Sequence, residues 1–231
     1  MTAISNFKLL AAVAVISLGF VSMAHALDAN FSKCLQAREG AGGDTAKKNP
    51  WGYTGLYQMG VNYAAGSLCS NAGSLKNMPE YQDWDYFNKT CNFQGAIAKK
   101  YGITSYADFT TGPKAAEIQN AMLEIGNNNN WNTIKAKGLD IYEGQTVNGV
   151  LMTKETMLAM AHLTGVGGLI KTLEGKTSAD ANGATTTGYA TCLSKCMAGD
   201  NSACSSKTGA ESALETLCNK KAAAATTTTT K

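Results

Sequence analysis

Glu39 is the residue of this sequence best placed to do chemistry, because a glycine-rich and aromatic stretch follows it at once. Residues 40–43 read Gly-Ala-Gly-Gly, and residues 51–58 read Trp-Gly-Tyr-Thr-Gly-Leu-Tyr-Gln. A carboxyl group that is partly shielded from water keeps its proton to higher pH, since desolvation penalises the charged form. Such a group can donate its proton to a leaving oxygen, for example that of a glycosidic bond. The pattern predicts Glu39 as a general acid.

A short helix is predicted to carry Glu39 at its C-terminal end. Phe31, Cys34 and Leu35 have the i, i+3, i+4 spacing of one helix face over residues 29–38. Glycine and proline make residues 40–57 a loop or hairpin, in which residues 54–59 suit either a short strand or the start of the next helix. Loops held by a rigid scaffold are where substrate contacts usually lie.

The remaining elements are predicted to be mainly helical. We expect a loop-rich insertion over residues 61–92, whose aromatic residues line a sugar-binding groove or fill a small satellite core. Helices are expected over residues 93–101, 113–125 and 131–137, with a polar turn at 127–130, and a hairpin around Asn148-Gly149. Thr153 is a predicted N-cap for a helix that the glycines at 165, 167 and 168 bend or break.

The N-terminus reads as a signal peptide. Lys8, an apolar run over residues 9–21 and Ala-His-Ala at 24–26 predict cleavage near Ala26 and a periplasmic or secreted protein. The run is shorter than the roughly 20 residues that a membrane span needs. The net charge is only +3 and the lysines are scattered, so the sequence shows no basic cluster that would indicate nucleic-acid binding. We expect a main domain over residues 27–190, a cysteine-rich helical extension over 191–220 and a disordered tail over 221–231.

Seven cysteines in an exported chain favour disulfide bonds. Cys69 and Cys91 bracket the insertion and are expected to pair. Cys192 and Cys196 lie one helical turn apart, so each is expected to form a disulfide bond with a separate partner, Cys204 or Cys218. These two bonds would hold the C-terminal helices together. Because the number of cysteines is odd, one cysteine is left over. No Cys-x-x-Cys pair exists and His162 is the only histidine after the predicted cleavage, so neither a metal site nor a cofactor is expected.

Four further segments follow Glu39 in a recognisable order. They are Gly-Tyr-Thr-Gly-Leu-Tyr-Gln-Met-Gly at 52–60, Gly-Leu-Asp at 138–140, Ala-His-Leu-Thr-Gly-Val-Gly-Gly at 161–168 and Asp-Ala-Asn-Gly at 180–183. With Glu39 they resemble the lysozyme-like superfamily, particularly lytic transglycosylases of secreted or phage-borne type, over about residues 29–189. In that family a helix ends at a catalytic Glu, a Gly-Leu-x-Gln turn lines the cleft, and a later segment packs behind the acid. Leu163 stands where that segment usually has Asn.

The resemblance implies a mainly α, α+β lysozyme-like fold and an exported enzyme that cleaves the β-1,4 bond between N-acetylmuramic acid and N-acetylglucosamine in peptidoglycan. Glu39 would protonate the leaving oxygen and then accept a proton from the muramic C6 hydroxyl, so that one carboxylate suffices and a 1,6-anhydro product forms. The substrate contacts that we expect from it are Tyr53, Gly55, Tyr57, Gln58, His162 and Tyr189. Tyr57 and Gln58 would hold the sugar by stacking and hydrogen bonding. For His162 a packing or capping role is the simpler reading, and for Tyr189 a structural one is equally open.

Three alternatives remain open at the level of sequence. A hydrolytic lysozyme would pair Glu39 with a second carboxylate, for which Asp44 is the nearest in sequence. A non-catalytic wall-binding protein could keep the fold and serve a secretion machine or a phage particle. A disulfide-rich secreted interaction protein would make the resemblance fortuitous. A Ser-His-Asp or Cys-His site is disfavoured, because His162 would have to supply the only imidazole base.

Overall fold

The computed structural model describes residues 29–75, 82–180 and 183–200, and within them the chain is mainly helical with one small sheet. The predicted signal peptide and the predicted C-terminal tail lie outside these residues. The elements are α1 Ala29–Glu39, α2 Val61–Leu68, α3 Trp84–Thr90, α4 Ala96–Tyr101, α5 Tyr106–Thr110, α6 Ala115–Ala136, β1 Thr146–Val147, β2 Val150–Leu151, α7 Lys154–Leu173 and α8 Thr186–Met197, with 3-10 turns at Ala72–Leu75 and Leu139–Tyr142.

A single hydrophobic core joins the first helix to the last. Phe31 and Leu35 of α1 are fully buried, as are Leu158 of α7 and Leu193 of α8. Helix α7 packs against both α6 and α8, and α8 packs against α1. Burying each of these side chains contributes roughly 1.5–3 kcal/mol. The predicted apolar face of α1 is confirmed, and it fixes Glu39 at the edge of the core.

Helix α7 begins and bends where the sequence predicts. The Thr153 Oγ1 accepts a hydrogen bond from the Thr156 N–H at 3.2 Å, and the Thr156 Oγ1 accepts one from the Thr153 N–H at 2.7 Å. This reciprocal capping satisfies two donors that the first helical turn leaves unpaired. Gly165 has φ 72° and ψ 172°, which kinks the helix three residues after His162.

The predicted hairpin is also present. Strands β1 and β2 pair antiparallel, with Val147 opposite Val150. Asn148 and Gly149 both have positive φ, 50° and 78°, as a two-residue turn of the primed type requires. The Asn148 Nδ2 donates to the Thr172 carbonyl at 2.9 Å and ties the hairpin to α7.

Two expectations for the middle of the chain are wrong. Residues 127–130 are not a turn but part of the continuous helix α6, because buried side chains such as Met122, Asn127 and Ile134 lie along that helix. Tertiary packing outweighs the weak helix propensity of four asparagines. Residues 61–92 contain α2, α3 and a 3-10 turn rather than loops alone, and Trp84 and Phe87 belong to the main core.

The segment over residues 54–59 is neither a strand of a sheet nor the beginning of α2. It is a tight turn closed by a bridge between Thr54 and Met59, and α2 begins at Val61. The Tyr57 carbonyl of this turn contacts His162, whose ring lies beside Glu39.

One predicted disulfide is present and another prediction is corrected. Cys69 and Cys91 are bonded, as expected, but Cys196 pairs with Cys34 rather than with Cys204 or Cys218. The reason is that α8 packs against α1, which brings these two distant cysteines together. Cys192 is disulfide-bonded as well, while Cys204 and Cys218 lie outside the described residues.

These bonds fit the oxidising compartment expected of a secreted or periplasmic protein. In the described part of the chain, no helix combines the length and apolar character that crossing a membrane requires. The domain boundary predicted between residues 190 and 191 falls inside α8, so residues 191–197 continue a helix that packs on α1 and α7.

Candidate active site

Glu39 is the last residue of α1, and its side chain is 17% exposed. The next residue, Gly40, has φ 65°, and its N–H donates to the Gln36 carbonyl at 3.1 Å, which ends the helix with a left-handed residue. The C-terminus of a helix carries partial negative charge, so it disfavours an ionised carboxylate placed there. Partial burial acts in the same direction.

Tyr189 helps to fix the orientation of the Glu39 carboxyl group. It lies in the first turn of α8, is 2% exposed, and its hydroxyl donates a hydrogen bond to the Glu39 Oε1. Burial raises the pKa of Tyr189 well above its usual value, and the charge of Glu39 raises it further. The hydroxyl therefore keeps its proton at neutral pH and acts as a donor to Glu39. The Arg38 guanidinium carbon lies 5.4 Å from the centre of the Tyr189 ring.

His162 approaches the same carboxyl oxygen from α7. Its Nε2 lies 3.7 Å from the Glu39 Oε1 and 3.1 Å from the Tyr57 carbonyl oxygen, and its side chain is 7% exposed. A carbonyl oxygen only accepts, so we assign the ring proton to Nε2. The acceptor Nδ1 is buried and has no hydrogen-bond partner among the described residues.

Burial also sets the charge of His162. It lowers the pKa of the imidazole to about 4, although the hydrogen bond with the Tyr57 backbone acts in the opposite direction. Above about pH 4 the ring is therefore neutral. A neutral imidazole does not hold the Glu39 carboxyl in its ionised form, as an imidazolium at this distance would.

The turn at residues 54–59 is held rigidly next to this pair. The Leu56 N–H donates to the Gln119 Oε1 at 2.8 Å, and the Gln119 Nε2 donates to the carbonyls of Thr45 and Phe109, each at 2.8 Å. Gly55 has φ 80°, and a Cβ there would lie 2.3 Å from the Gln119 Oε1. Only glycine fits this position.

Tyr57 and Gln58 make contacts within the protein. The buried Tyr57 hydroxyl accepts from the Gln36 Nε2 at 2.8 Å and donates to the Asn120 Oδ1 at 2.5 Å. The Gln58 Nε2 donates to the Gly55 carbonyl at 3.0 Å. The Tyr57 ring has no exposed face for the sugar stacking that the sequence suggests, and the residue reaches the site through its backbone oxygen.

The remaining predicted site residues are Asp44, Tyr53 and Gly55. Asp44 is exposed, and its Oδ1 accepts from the Ala46 N–H at 2.8 Å within its own loop. Tyr53 is 38% exposed. Gly55 is buried and lies against the Gln119 side chain.

Sequence reasoning overlooked the side chains of Gln36, Gln119 and Asn120. Gln36 had a usable signal, since it lies three residues before Glu39 and therefore on the same helix face. Gln119 and Asn120 reach the turn from about 60 residues away along the chain, and no local pattern marks them. Among the described residues, no group of three or more His, Cys, Asp or Glu side chains is arranged to hold a metal ion.

The structure thus brings together Glu39, Tyr189 and His162 from α1, α8 and α7, beside the backbone of the turn at Tyr57. No protein-family model, curated protein or solved structure matches this chain.

Proposed function

We propose that this protein is an exported enzyme that cleaves the β-1,4 bond between N-acetylmuramic acid and N-acetylglucosamine in peptidoglycan, with Glu39 as its general acid and base. One observation carries the proposal most directly. The Glu39 carboxyl is partly buried at a helix C-terminus, is oriented by the Tyr189 hydroxyl and lies beside an uncharged His162. The fold supports it more generally, since the chain is mainly helical with a small hairpin.

The proposed reaction proceeds in two proton transfers. Glu39 first gives its proton to the glycosidic oxygen while positive charge develops on the muramoyl ring and the bond breaks. The resulting carboxylate then takes the proton of the muramic C6 hydroxyl, whose oxygen closes on C1 and gives a 1,6-anhydro sugar. The carboxyl ends protonated again, so a single acid residue completes the cycle.

The neighbours of Glu39 serve both halves of this cycle. The helix C-terminus and partial burial favour the protonated form that starts the reaction. Tyr189 donates a hydrogen bond to the carboxyl and so stabilises the carboxylate that forms in between. His162 adds no positive charge beside the carboxyl above about pH 4, so it does not act against the protonated form.

Replacing Glu39 by Gln tests the assignment of the acid. The E39Q variant keeps the size and polarity of the side chain but cannot deliver a proton, so we expect muropeptide release to fall by at least about 100-fold. The matched control is Glu124→Gln, on the exposed face of α6, which should leave the rate unchanged. Wall digestion that survives E39Q would refute the role of Glu39.

The released products distinguish the two possible courses of the reaction. Mass analysis of the soluble muropeptides should find 1,6-anhydromuramic ends, and Asp44→Asn should retain the activity because Asp44 is exposed and bonded within its own loop. Reducing ends together with an inactive D44N variant would instead indicate a lysozyme that uses paired carboxylates.

A further inference from the structure

Two exposed aromatic residues flank a buried glycine in the loop that leads to the active-site turn. Trp51 is 44% exposed and Tyr53 is 38% exposed, whereas Gly52 between them is buried. Among the described residues, the other large hydrophobic side chains with comparable exposure are Tyr86, Ile141 and Leu151. Trp51 and Tyr53 differ from these in being paired on one short segment.

The backbone that presents these two rings is fixed on both sides. The Asn49 Oδ1 accepts from the N–H groups of both Trp51 and Tyr53 at 3.0 Å, and the Asn49 N–H donates to the Tyr53 carbonyl at 3.0 Å. From α3 and its N-terminal flank, the Gln82 N–H donates to the Trp51 carbonyl at 3.1 Å, and the Trp84 Nε1 donates to the Gly52 carbonyl at 2.7 Å. The rings are therefore presented by an ordered strip and not by a loose loop.

The Tyr53 ring also packs closely against the backbone at the start of α2. A Cβ at Gly60 would lie 3.0 Å from the Tyr53 Cε1 and 2.8 Å from the Gln82 Oε1. Glycine at this position lets the ring lie against the main chain while a substantial part of the side chain stays exposed. This arrangement lowers the conformational entropy that the ring would lose when a ligand stacks on it.

The strip leads directly along the chain into the turn at residues 54–59. Thr54 follows Tyr53 and closes the turn with Met59, and the Tyr57 carbonyl of that turn contacts His162 beside Glu39. A polymer seated at Glu39 extends over more than one sugar, so it needs further contacts beyond the bond that is cleaved.

We propose that Trp51 and Tyr53 form a stacking platform for the sugar rings of a glycan strand, separate from the contacts around Glu39. Flat aromatic faces bury the C–H faces of a sugar ring, and the tyrosine hydroxyl at the edge remains available for a polar contact. The choice of an N-acetylated β-1,4 glycan as the ligand rests on the proposed function. The platform itself rests on the exposure and fixed backbone of the two residues.

A titration with a soluble glycan tests this platform without the reaction. The probe is the hexamer of β-1,4-linked N-acetylglucosamine, added to the full chain carrying E39Q, with calorimetry and tryptophan fluorescence as the readouts. We expect a shift of tryptophan emission on binding. Trp51→Ala and Tyr53→Ala should each weaken binding by about tenfold, which is the loss expected for an aromatic contact of about 1.4 kcal/mol.

Two further variants make the outcome specific. Tyr86→Ala removes a tyrosine of similar exposure, 43%, from α3 rather than from the strip, and should leave the affinity unchanged. Trp51→Phe should retain most of the affinity but lose the emission shift. The platform is refuted if W51A binds as tightly as the parent, if Y86A loses as much as W51A, or if the chain does not bind the hexamer at all.

The results for the platform and for the reaction are separable. If hexamer binding depends on Trp51 but the protein does not digest cell wall, the platform is supported and the proposed enzymatic activity is refuted. If wall digestion depends on Glu39 but W51A and Y53A bind the hexamer as the parent does, the proposed enzymatic activity is supported and the platform is refuted.

Discussion

The Glu39 carboxyl lies between a tyrosine that donates a hydrogen bond to it and a histidine that stays uncharged. Effects of opposite sign act on its proton. Burial and the helix C-terminus favour the protonated form, and the Tyr189 hydroxyl favours the carboxylate. At the scale of the residue, the proposed role of Glu39 as a general acid and base depends on this balance of effects.

Tyr189→Phe tests the hydrogen bond to Glu39. The variant keeps the buried ring and removes the donor, so we expect the turnover rate to fall by about 10- to 150-fold, which corresponds to a hydrogen bond of 1.5–3 kcal/mol to a charged group. Loss of the donor also favours the protonated carboxyl, so the alkaline limb of the pH profile should move to higher pH.

Tyr86→Phe is the control for this measurement, because it removes an exposed hydroxyl from α3. An unchanged pH profile in Y189F, even with a lower rate, would show that Tyr189 acts through packing alone.

His162 is expected to make the folded protein less stable in acid. Its pKa is about 4 in the folded chain against 6.5 for a free imidazole, so the unfolded state binds the proton first as the pH falls. The contribution of the neutral His162 to the free energy of unfolding is intact above about pH 6.5. It is lost progressively as the pH falls toward 4, where the loss reaches about 3 kcal/mol.

Urea unfolding at pH 7 and pH 4.5 measures this effect, with His162→Gln as the variant that keeps a donor toward the Tyr57 carbonyl. The difference between the two pH values should be smaller in H162Q than in the parent. An NMR titration that finds this imidazole changing charge near pH 6.5 would contradict the buried, neutral histidine.

At the scale of elements, three helices and one turn build the site. The sequence predicted α1 with Glu39 at its end, the N-cap of α7 and the glycine kink that follows His162. It did not predict the shape of the segment at residues 54–59, where Gln119 of α6 supplies the hydrogen bonds that set the turn. The turn depends on a distant side chain, and for that reason its local sequence was compatible with both a strand and a helix.

Gly55→Ala tests how much this turn matters to the fold. Alanine there combines an unfavourable positive φ with a collision against the Gln119 side chain, so we expect a loss of about 1–3 kcal/mol in the free energy of unfolding. Gly66→Ala is the matched control, because its Cβ would meet nothing within 4 Å on the exposed face of α2. Alanine in that helix should stabilise the protein by about 0.5–1 kcal/mol. Equal midpoints for the two variants in urea would refute the constraint at Gly55.

At the scale of the whole molecule, the Cys34–Cys196 bond joins the first described helix to the last across 162 residues of sequence. Cys34 precedes Glu39 by little more than one turn of α1, and Cys196 follows Tyr189 by two turns of α8. The bond therefore holds together the two helices whose side chains meet at the site.

Removing this bond should affect both stability and activity. Chain-entropy arguments give about 5 kcal/mol for the Cys34–Cys196 loop and about 3 kcal/mol for the Cys69–Cys91 loop. We expect the serine double variants of either pair to melt at lower temperature. Well below both melting temperatures, only the C34S/C196S variant should also lose wall-digesting activity, because only that bond joins α1 to α8. Equal activity in the two double variants would contradict this role.

Local patterns in the sequence were enough to determine the mainly helical class, α1, the capped and kinked α7, the hairpin and the Cys69–Cys91 bond. Each of these depends on side-chain periodicity, on capping residues or on turn residues that act over a few positions. The same reasoning divided α6 at its asparagines, because a polar run carries no local sign of the buried face that packing imposes on it.

The sequence by itself marked Glu39 as the candidate acid but did not determine its partners. Only the tertiary structure decided that Tyr189 and His162 face Glu39, that Tyr57 is buried, that Asp44 bonds within its own loop and that Cys34 pairs with Cys196. The physical reason is that these contacts join residues 100 or more positions apart, or depend on which side chains a packed core leaves exposed. Both are set by how α1, α7 and α8 pack together, and no short stretch of sequence encodes that packing.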